Sequence, residues 1–285
     1  MIDSLTFFGG GNMASAIVGG MQRAQRLPKV LRLVDPEASV RQSWSDRYGA
    51  VCFARPEESP CESQYWLLAV KPQQMKDLCL SLKAAQKPAP EGHEALPGTQ
   101  SRGVISVAAG IRIDSLKQWL GDAHRYIRCM PNTPALIGRG VTALYTNPQS
   151  PADDKVIAEG VMDCVGKTLW LSQESTIDAV TAVSGSGPAY VFRMIEAMQD
   201  AAENLGLSPE QSRLLVIETL RGASELAAQS SLAPAQLRAQ VTSKGGTTAA
   251  ALDVFEQEDF GGLIHRALAR AAARSAELAR GDEGE

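Results

Sequence analysis

The chain has 285 residues, of which 44% are apolar and 21% charged, a composition typical of a globular protein with room for two domains. Its net charge of −4, without any tract rich in Lys or Arg, argues against nucleic acid as a partner. No apolar run approaches the ~20 residues that cross a bilayer, and no basic, apolar leader begins the chain. The five cysteines form no CxxC pair, so we expect a soluble cytoplasmic protein with no metal site and no membrane association.

The first 170 residues alternate short apolar runs with helical patterns. Runs rich in Val, Ile or Leu predict five buried strands, at residues 5–9, 30–35, 65–70, 103–108 and 125–130. Amphipathic segments between them predict helices at residues 13–24, 38–47, 72–84 and 113–120. Such alternation is typical of βαβ units and predicts an α/β fold with a doubly wound parallel sheet. The segment 86–102, rich in Pro and Gly, predicts a surface loop inserted between a helix and a strand.

Beyond residue 170 the pattern is helical only. Helices are predicted at residues 188–205, 209–228, 235–240, 249–257 and 263–280. Ser208, Pro209 and Gln211 provide the N-cap, N1 and N3 residues of a capped helix start. We therefore predict a dinucleotide-binding domain at 1–172, followed by an all-helical C-terminal domain at 173–285 for substrate binding and dimerisation. Small residues line these helices and permit close packing within the domain or against a second copy, and we expect a homo-oligomer.

A glycine-rich turn follows the first predicted strand and opens the first predicted helix. Its sequence, Gly9-Gly10-Gly11-Asn12-Met13-Ala14, fits the pattern G-x-G-x-x-A of Rossmann-type dinucleotide-binding domains. In this pattern the first glycine permits the tight turn, and the second lets the backbone approach a pyrophosphate. The final small residue lets the helix pack close to the strand, and the helix N-terminus attracts the phosphates.

Two charged residues follow later strands at the edge where such sheets bind ligands. Asp35 ends the second strand, where an acidic residue bonds the adenosine ribose and disfavours a 2′-phosphate. Arg32 and Arg41 lie near enough to accept that phosphate, and Asp35 is also a good helix N-cap before Pro36. Lys71 follows the third strand and is expected either to contact the cofactor or to lie in solvent.

Three further segments indicate the chemistry: Arg-Cys-Met-Pro-Asn-Thr-Pro at 128–134, Thr-Ala-Val-Ser-Gly-Ser-Gly-Pro-Ala-Tyr at 181–190, and Ser-Lys-Gly-Gly-Thr-Thr at 243–248. The last two lead into helices, so their hydroxyls and amides form a cradle suited to a small carboxylate. Neither contains a His, a Cys or a Lys–Asp pair that would serve as nucleophile or strong base. A cofactor hydride would then carry the chemistry, which favours reduction of an iminium over oxidation of an alcohol.

Together with residues 8–14 and 69–72, these segments resemble, in order and spacing, the motifs of pyrroline-5-carboxylate reductases. The likeness covers nearly the whole chain apart from the insertion at 86–102. It implies a Rossmann domain followed by a helical domain that interlocks with a partner's to build each active site. It also implies hydride transfer from NADPH or NADH to 1-pyrroline-5-carboxylate, which gives L-proline in the last step of proline biosynthesis.

The resemblance implies roles for residues of this chain by position. Thr248 is expected to hydrogen-bond the imine nitrogen and assist its protonation. The residues expected to contact substrate are Glu174, Ser184, Gly185, Ser243, Gly246, Thr247 and Thr248. The residues expected to contact cofactor are Phe8, Gly9, Gly10, Gly11, Asn12, Met13, Asp35, Ala69, Val70, Lys71, Pro72, Ala108, Ala109, Gly110 and Asn132.

The chain departs from the family pattern at a few positions. Lys244 and Gln240 occupy positions where the family usually has Pro and Asn. The loop 229–234 lacks the acidic residue and the His that are common there. Asp35 replaces a small polar residue, which favours NADH where family habit favours NADPH. Two alternatives remain: a non-catalytic dinucleotide-binding sensor and a β-hydroxyacid dehydrogenase-like reductase. The dehydrogenase would need a helical Lys followed one turn later by Asn, and no lysine of the C-terminal part has that setting.

Overall fold

The structure, a computed structural model, describes residues 2–59, 62–86 and 101–280. Residues 87–100, the interior of the predicted insertion, lie outside the described ranges. The chain divides into two compact units, one formed by residues 1–186 with 271–285 and the other by residues 187–270. In the described ranges, no helix is both long and apolar enough to cross a membrane.

The first unit is built on one sheet of eight strands. The strands are β1 (Ser4–Phe8), β2 (Val30–Val34), β3 (Val51–Phe53), β4 (Tyr65–Leu68), β5 (Gly103–Ser106), β6 (Arg125–Met130), β7 (Gly140–Thr146) and β8 (Gly166–Trp170). Their order is β3-β2-β1-β4-β5-β6-β7-β8, and β1 to β6 are parallel. This confirms the predicted α/β, doubly wound fold. The strand β7, which the sequence analysis did not predict, runs antiparallel to β6.

In the described ranges, six α-helices lie wholly within this unit: α1 (Asn12–Arg23), α2 (Ala38–Tyr48), α3 (Pro72–Ala85), α4 (Ile113–Leu120), α5 (Ala152–Met162) and α6 (Thr176–Val180). Because side chains alternate across a strand, Phe7 and Phe8 point to opposite faces of the sheet. Phe7 joins one buried cluster with Ile17 of α1, and Phe8 joins the other with Leu116 of α4. The central strands β1, β4 and β5 are buried almost throughout, which explains their largely apolar sequences.

The second unit contains helices α7 (Gly187–Asn204), α8 (Pro209–Gln229), α9 (Pro234–Gln240), α10 (Thr247–Gln257) and the first half of α11 (Phe260–Arg280). The predicted helix start at Ser208 is confirmed, since its hydroxyl accepts from the Gln211 N–H and the Gln211 side chain accepts from the Ser208 N–H. Many apolar side chains of this unit are exposed, among them Phe192 at 60% and Leu226 at 69%.

Candidate functional site

The carboxyl ends of β1, β2, β4 and β5 meet at one edge of the sheet. The Gly9 N–H donates to Val34 O at 2.9 Å, and the Ala69 N–H donates to Phe8 O at 2.8 Å. The Val107 N–H likewise donates to the carbonyl of Leu68, at 3.1 Å. These bonds join the residues that follow each strand, so the structure brings together the segments at 8–13, 35, 69–72 and 108–110. This is the edge at which open α/β sheets bind their ligands.

The glycine turn is closely packed where the sequence requires glycine. Gly9 has φ +92°, and a Cβ there would lie 2.9 Å from the carbonyl oxygen of Ala69. A Cβ at Gly10 would lie 2.5 Å from Val40 Cγ1. Gly11 is exposed and is the N-cap of α1, where it supplies no side-chain hydrogen bond. The first N–H groups of α1 therefore remain available to an anionic group beside the turn.

Asp35 holds this turn directly. Its Oδ2 accepts from the Gly10 N–H at 2.7 Å, and its Oδ1 accepts from the Glu37 N–H at 2.9 Å. Arg41 donates to the carbonyl oxygens of Asp35 and Pro36 at 2.8 and 2.7 Å. The side chain of Glu37, rather than that of Asp35, caps the start of α2. Both a carboxylate and a guanidinium are thus fixed at the end of β2.

The segments after β4 and β5 line the same edge. Lys71 is exposed at the N-cap of α3, and Pro72 is the first residue of that helix. Ala108 is buried, whereas Ala109 and Gly110 are half-buried in the loop that leads to α4. Gly110 has φ +74°, and a Cβ there would lie 3.4 Å from Cβ of Leu278 in α11. A larger residue than glycine would therefore strain this loop.

The segment after β6 is tied to the Ser/Gly motif by Asn132. Its amide nitrogen donates to the Ser184 carbonyl at 3.1 Å, and its amide oxygen accepts from the Val141 N–H at 2.9 Å. Ser184 lies in a π-helical turn at residues 181–185, where its hydroxyl donates to Val180 O at 3.1 Å. Gly185 is packed closely, since a Cβ there would lie 2.6 Å from the Met130 methyl group. Single π-helical turns are frequent at functional sites.

Glu174 lies between β8 and α6 and has two partners in the first unit. Its Oε1 accepts from the Ile113 N–H at 2.9 Å and from Arg128 Nη1 at 3.0 Å. Arg128 is only 2% exposed, and its burial lowers the pKa of the guanidinium. Its Nη2 atom is buried and has no hydrogen-bond partner among the described residues. Sequence reasoning placed Arg128 at the start of the motif 128–134 but gave it no role, although a charged residue inside a buried strand was an available signal.

The remaining predicted substrate residues lie in the second unit, at the start of α10. Gly245 has φ +70°, and the Gly246 N–H donates to Ser243 O at 3.1 Å. Gly246 is the N-cap of α10 and offers no side-chain bond to the helix. Thr247 and Thr248 are therefore the first two helical residues, with Thr248 half-buried. Free N–H groups and hydroxyls coincide here with the positive end of a helix dipole.

Charged side chains at these segments include Asp35, Lys71 and the pair of Arg128 with Glu174. Across residues 2–59, 62–86 and 101–280, no group of three or more His, Cys, Asp or Glu side chains is arranged to hold a metal ion. What the arrangement offers is backbone N–H groups, hydroxyls and a small number of fixed charges. Groups of this kind bind anions and orient small polar molecules.

Comparison with known families divides the chain in two. Residues 174–278 match the family described as pyrroline-5-carboxylate reductase dimerisation. Residues 4–90 match the family described as NADP oxidoreductase, coenzyme F420-dependent.

Individual relatives are similar over almost the full length. A pyrroline-5-carboxylate reductase of Pseudomonas aeruginosa is 43% identical over 276 residues, which cover 96% of each chain. The structure of one from Coxiella burnetii is 36% identical, with a TM-score of 0.87 over 98% of this chain and 99% of that one. A pyrroline carboxylate reductase of Plasmodium falciparum, solved with NADP bound, is 27% identical, with a TM-score of 0.82 over 98% of this chain and 100% of that one.

Proposed function

The chain belongs to the pyrroline-5-carboxylate reductase family, and we propose that it reduces the C=N bond of 1-pyrroline-5-carboxylate to give L-proline. This is the last step of proline biosynthesis, and we expect it to take place in the cytoplasm. The start of α10 supports the proposal most directly. It presents hydroxyls and free N–H groups to a small carboxylate without any side chain that would act as a nucleophile.

The edge of the sheet fits a dinucleotide. Gly9 and Gly10 leave no space for a Cβ, and Gly11 leaves the first turn of α1 open. We infer that residues 8–13 hold the pyrophosphate and that Asp35 lies against the adenosine ribose. The residues inferred to line the remaining cofactor site are Ala69, Val70, Lys71, Pro72, Ala108, Ala109, Gly110 and Asn132.

The reaction needs a hydride at carbon and a proton at nitrogen. When bound, the reduced nicotinamide supplies the hydride to the imine carbon. Thr248 donates a hydroxyl hydrogen bond to the unprotonated ring nitrogen, which polarises the C=N bond and assists proton transfer to that nitrogen as the hydride reaches the carbon. Ser243, Gly246 and Thr247 hold the substrate carboxylate through hydroxyl and N–H groups at the helix start, and Ser184 and Gly185 border the substrate. The chain's own contribution is orientation and charge stabilisation.

An absorbance assay of nicotinamide oxidation with 1-pyrroline-5-carboxylate tests the proposal. Thr248→Ala is expected to lower kcat by about 10²-fold, the scale on which one positioned hydrogen-bond donor acts. Thr248→Ser keeps the hydroxyl and is expected to retain most activity. Thr168→Ala is the control, because that hydroxyl donates to Asp163 at 2.7 Å in the first unit. Coenzyme binding without any imine reduction by the wild type would favour the non-catalytic sensor instead.

We propose further that the chain prefers NADH. Asp35 carries its charge at the end of β2, where a 2′-phosphate would be repelled, and two N–H bonds hold it there. Asp35→Ser is expected to lower kcat/KM for NADH and raise it for NADPH, because Arg41 is then free of the nearby carboxylate charge. If the ratio of kcat/KM for NADH to that for NADPH is unchanged, Asp35 fixes the glycine turn and has no part in coenzyme selection.

The helical domain, which we place at residues 173–285, is inferred to form a homo-oligomer. Support comes from the match to a dimerisation family and from the exposed apolar side chains of α7 and α8. We expect the partner's helical domain to help complete each substrate site.

A further inference from the structure

A buried ion pair lies next to the point where the loop between β5 and α4 enters α4. Arg128 in β6 and Glu174, beyond β8, are joined at 3.0 Å, with side chains 2% and 19% exposed. A buried guanidinium is costly without a counter-charge, and Glu174 provides one. The pair is therefore more than a surface salt bridge, whose removal would have little effect.

The same carboxylate caps α4. Ile113 is the first residue of α4, and its N–H donates to Glu174 Oε1 at 2.9 Å. The local cap residue, Arg112, makes no side-chain hydrogen bond to the helix. A negative charge at a helix N-terminus is favourable, so Glu174 acts as a cap supplied from 61 residues away.

Neighbouring contacts hold the rest of this loop. Arg112 pairs with Asp178 at 3.7 Å, and Asp178 accepts from the Ser275 hydroxyl at 2.7 Å. Leu278, one turn further along α11, lies against Gly110. The loop is thus attached to α6 and to the end of α11, and Glu174 holds the point at which it enters α4.

We propose that Glu174 is a positioning residue: together with Arg128 it fixes the start of α4, and with it the loop 108–112 that borders the nicotinamide half of the coenzyme. Its carboxylate acts on this chain's own backbone and guanidinium rather than on the imine substrate. The inference rests on the proposed function for the identity of the coenzyme, and it deepens that function by adding a residue that sets coenzyme affinity.

Removing the carboxylate is expected to weaken coenzyme binding. Glu174→Ala leaves Arg128 without its counter-charge and the Ile113 N–H without its acceptor, so the loop loses its fixed position. We expect the Kd for NADH to rise about tenfold, within the range that misplacement of a binding group produces. We expect the KM for the imine to change less than twofold at saturating coenzyme. Glu174→Gln keeps an oxygen acceptor for the Ile113 N–H. Its Kd for NADH is therefore expected to lie between those of the wild type and Glu174→Ala.

Asp154→Asn provides a matched control from the opposite end of β6. Asp154 is 1% exposed and pairs with Arg125, the first residue of β6, at 2.8 Å. This variant also disturbs a buried ion pair of β6, but at the edge remote from the coenzyme segments. It is expected to lower Tm as Glu174→Ala does, while leaving the Kd for NADH unchanged.

The experiment is a titration of the free enzyme with NADH followed by nicotinamide fluorescence, with a melting curve for each variant. A Kd that rises in Glu174→Ala alone supports the proposal. An unchanged Kd in Glu174→Ala would overturn it, and a raised KM for the imine in a separate absorbance assay would then make Glu174 a substrate contact. An equal rise of the Kd for NADH in Glu174→Ala and Asp154→Asn would overturn it, because general destabilisation of the fold would then explain the weaker binding. Because the titration contains no imine, it remains decisive even if the wild type fails to reduce pyrroline-5-carboxylate.

Discussion

Buried titratable residues connect single side chains to the pH dependence of stability. His124 is 6% exposed, with its ring 5.5 Å from that of Trp66 and 6.2 Å from that of Tyr126. Burial, together with the positive charges of Arg102 and Arg125, lowers the pKa of His124 to about 4. Its Nδ1 lies 3.4 Å from the Arg102 backbone nitrogen, which suits the neutral ring.

This pKa predicts a loss of stability in acid. The unfolded chain takes up a proton on His124 as the pH falls below 6.5, whereas the folded chain takes it up only near 4. Stability present above pH 6.5 is therefore lost as the pH falls towards 4, by up to about 3 kcal/mol. In His124→Phe this part of the pH dependence is expected to disappear. Urea unfolding of the wild type and His124→Phe between pH 6.5 and 4 tests this prediction. Plots of the free energy of unfolding against pH that run parallel for the two proteins would contradict it.

At the scale of elements, the register between β4 and β5 depends on a glycine. Gly103 pairs with Tyr65, and a Cβ at Gly103 would overlap the Tyr65 ring. That ring has little freedom to move, because its hydroxyl is hydrogen-bonded to Asp154. Gly103→Ala is therefore expected to lower the free energy of unfolding by about 1–3 kcal/mol, as overpacking does.

Gly160 provides the control for this substitution. It lies within α5, and a Cβ there would meet no atom within 4 Å. Gly160→Ala is expected to leave stability unchanged or to raise it by up to about 1 kcal/mol, because Ala favours the helix. Chemical denaturation gives the free energy of unfolding of Gly103→Ala and Gly160→Ala. Equal changes in the two variants would show that the contact with the Tyr65 ring does not destabilise Gly103→Ala.

In the described part of the first unit, the sequence analysis did not predict β3, β7, β8, α5 or α6. The strand β3 has only three residues and α6 only five, which is too short for a clear periodic pattern. The strand β8 carries Lys167 and Thr168 among its five residues, so it gives no apolar run. The strands that carry the glycine turn and its neighbours were predictable because both of their faces are buried.

The candidate site was predictable to a similar extent. Short motifs identified the segments at the sheet edge and at the start of α10. This was possible because glycine, proline and capping residues mark turns and helix ends in the local sequence. The contacts of Glu174 were not predictable. Its partners Ile113 and Arg128 are 61 and 46 residues away, and only the folded chain brings such groups together.

At the scale of the whole molecule, the second unit has too little buried apolar surface of its own. Along the 18 residues of α7 no side chain is fully buried within a single chain. Phe192 and Leu226 are 60% and 69% exposed, on α7 and α8. Apolar surface of this extent on several helices is typical of a subunit interface.

Sedimentation of the wild type is expected to give a mass at least twice the 30.4 kDa of one chain. Phe192→Glu or Leu226→Glu places a charge in the proposed interface and is expected to reduce that mass, or to leave the chain aggregated, with loss of reductase activity. Val156→Glu is the control, since Val156 is 68% exposed on α5 in the first unit and is expected to leave the mass unchanged. A wild type that sediments as a single chain at micromolar concentration would contradict the homo-oligomer. It would also require each substrate site to be completed within one chain, since no partner would then supply the second helical domain.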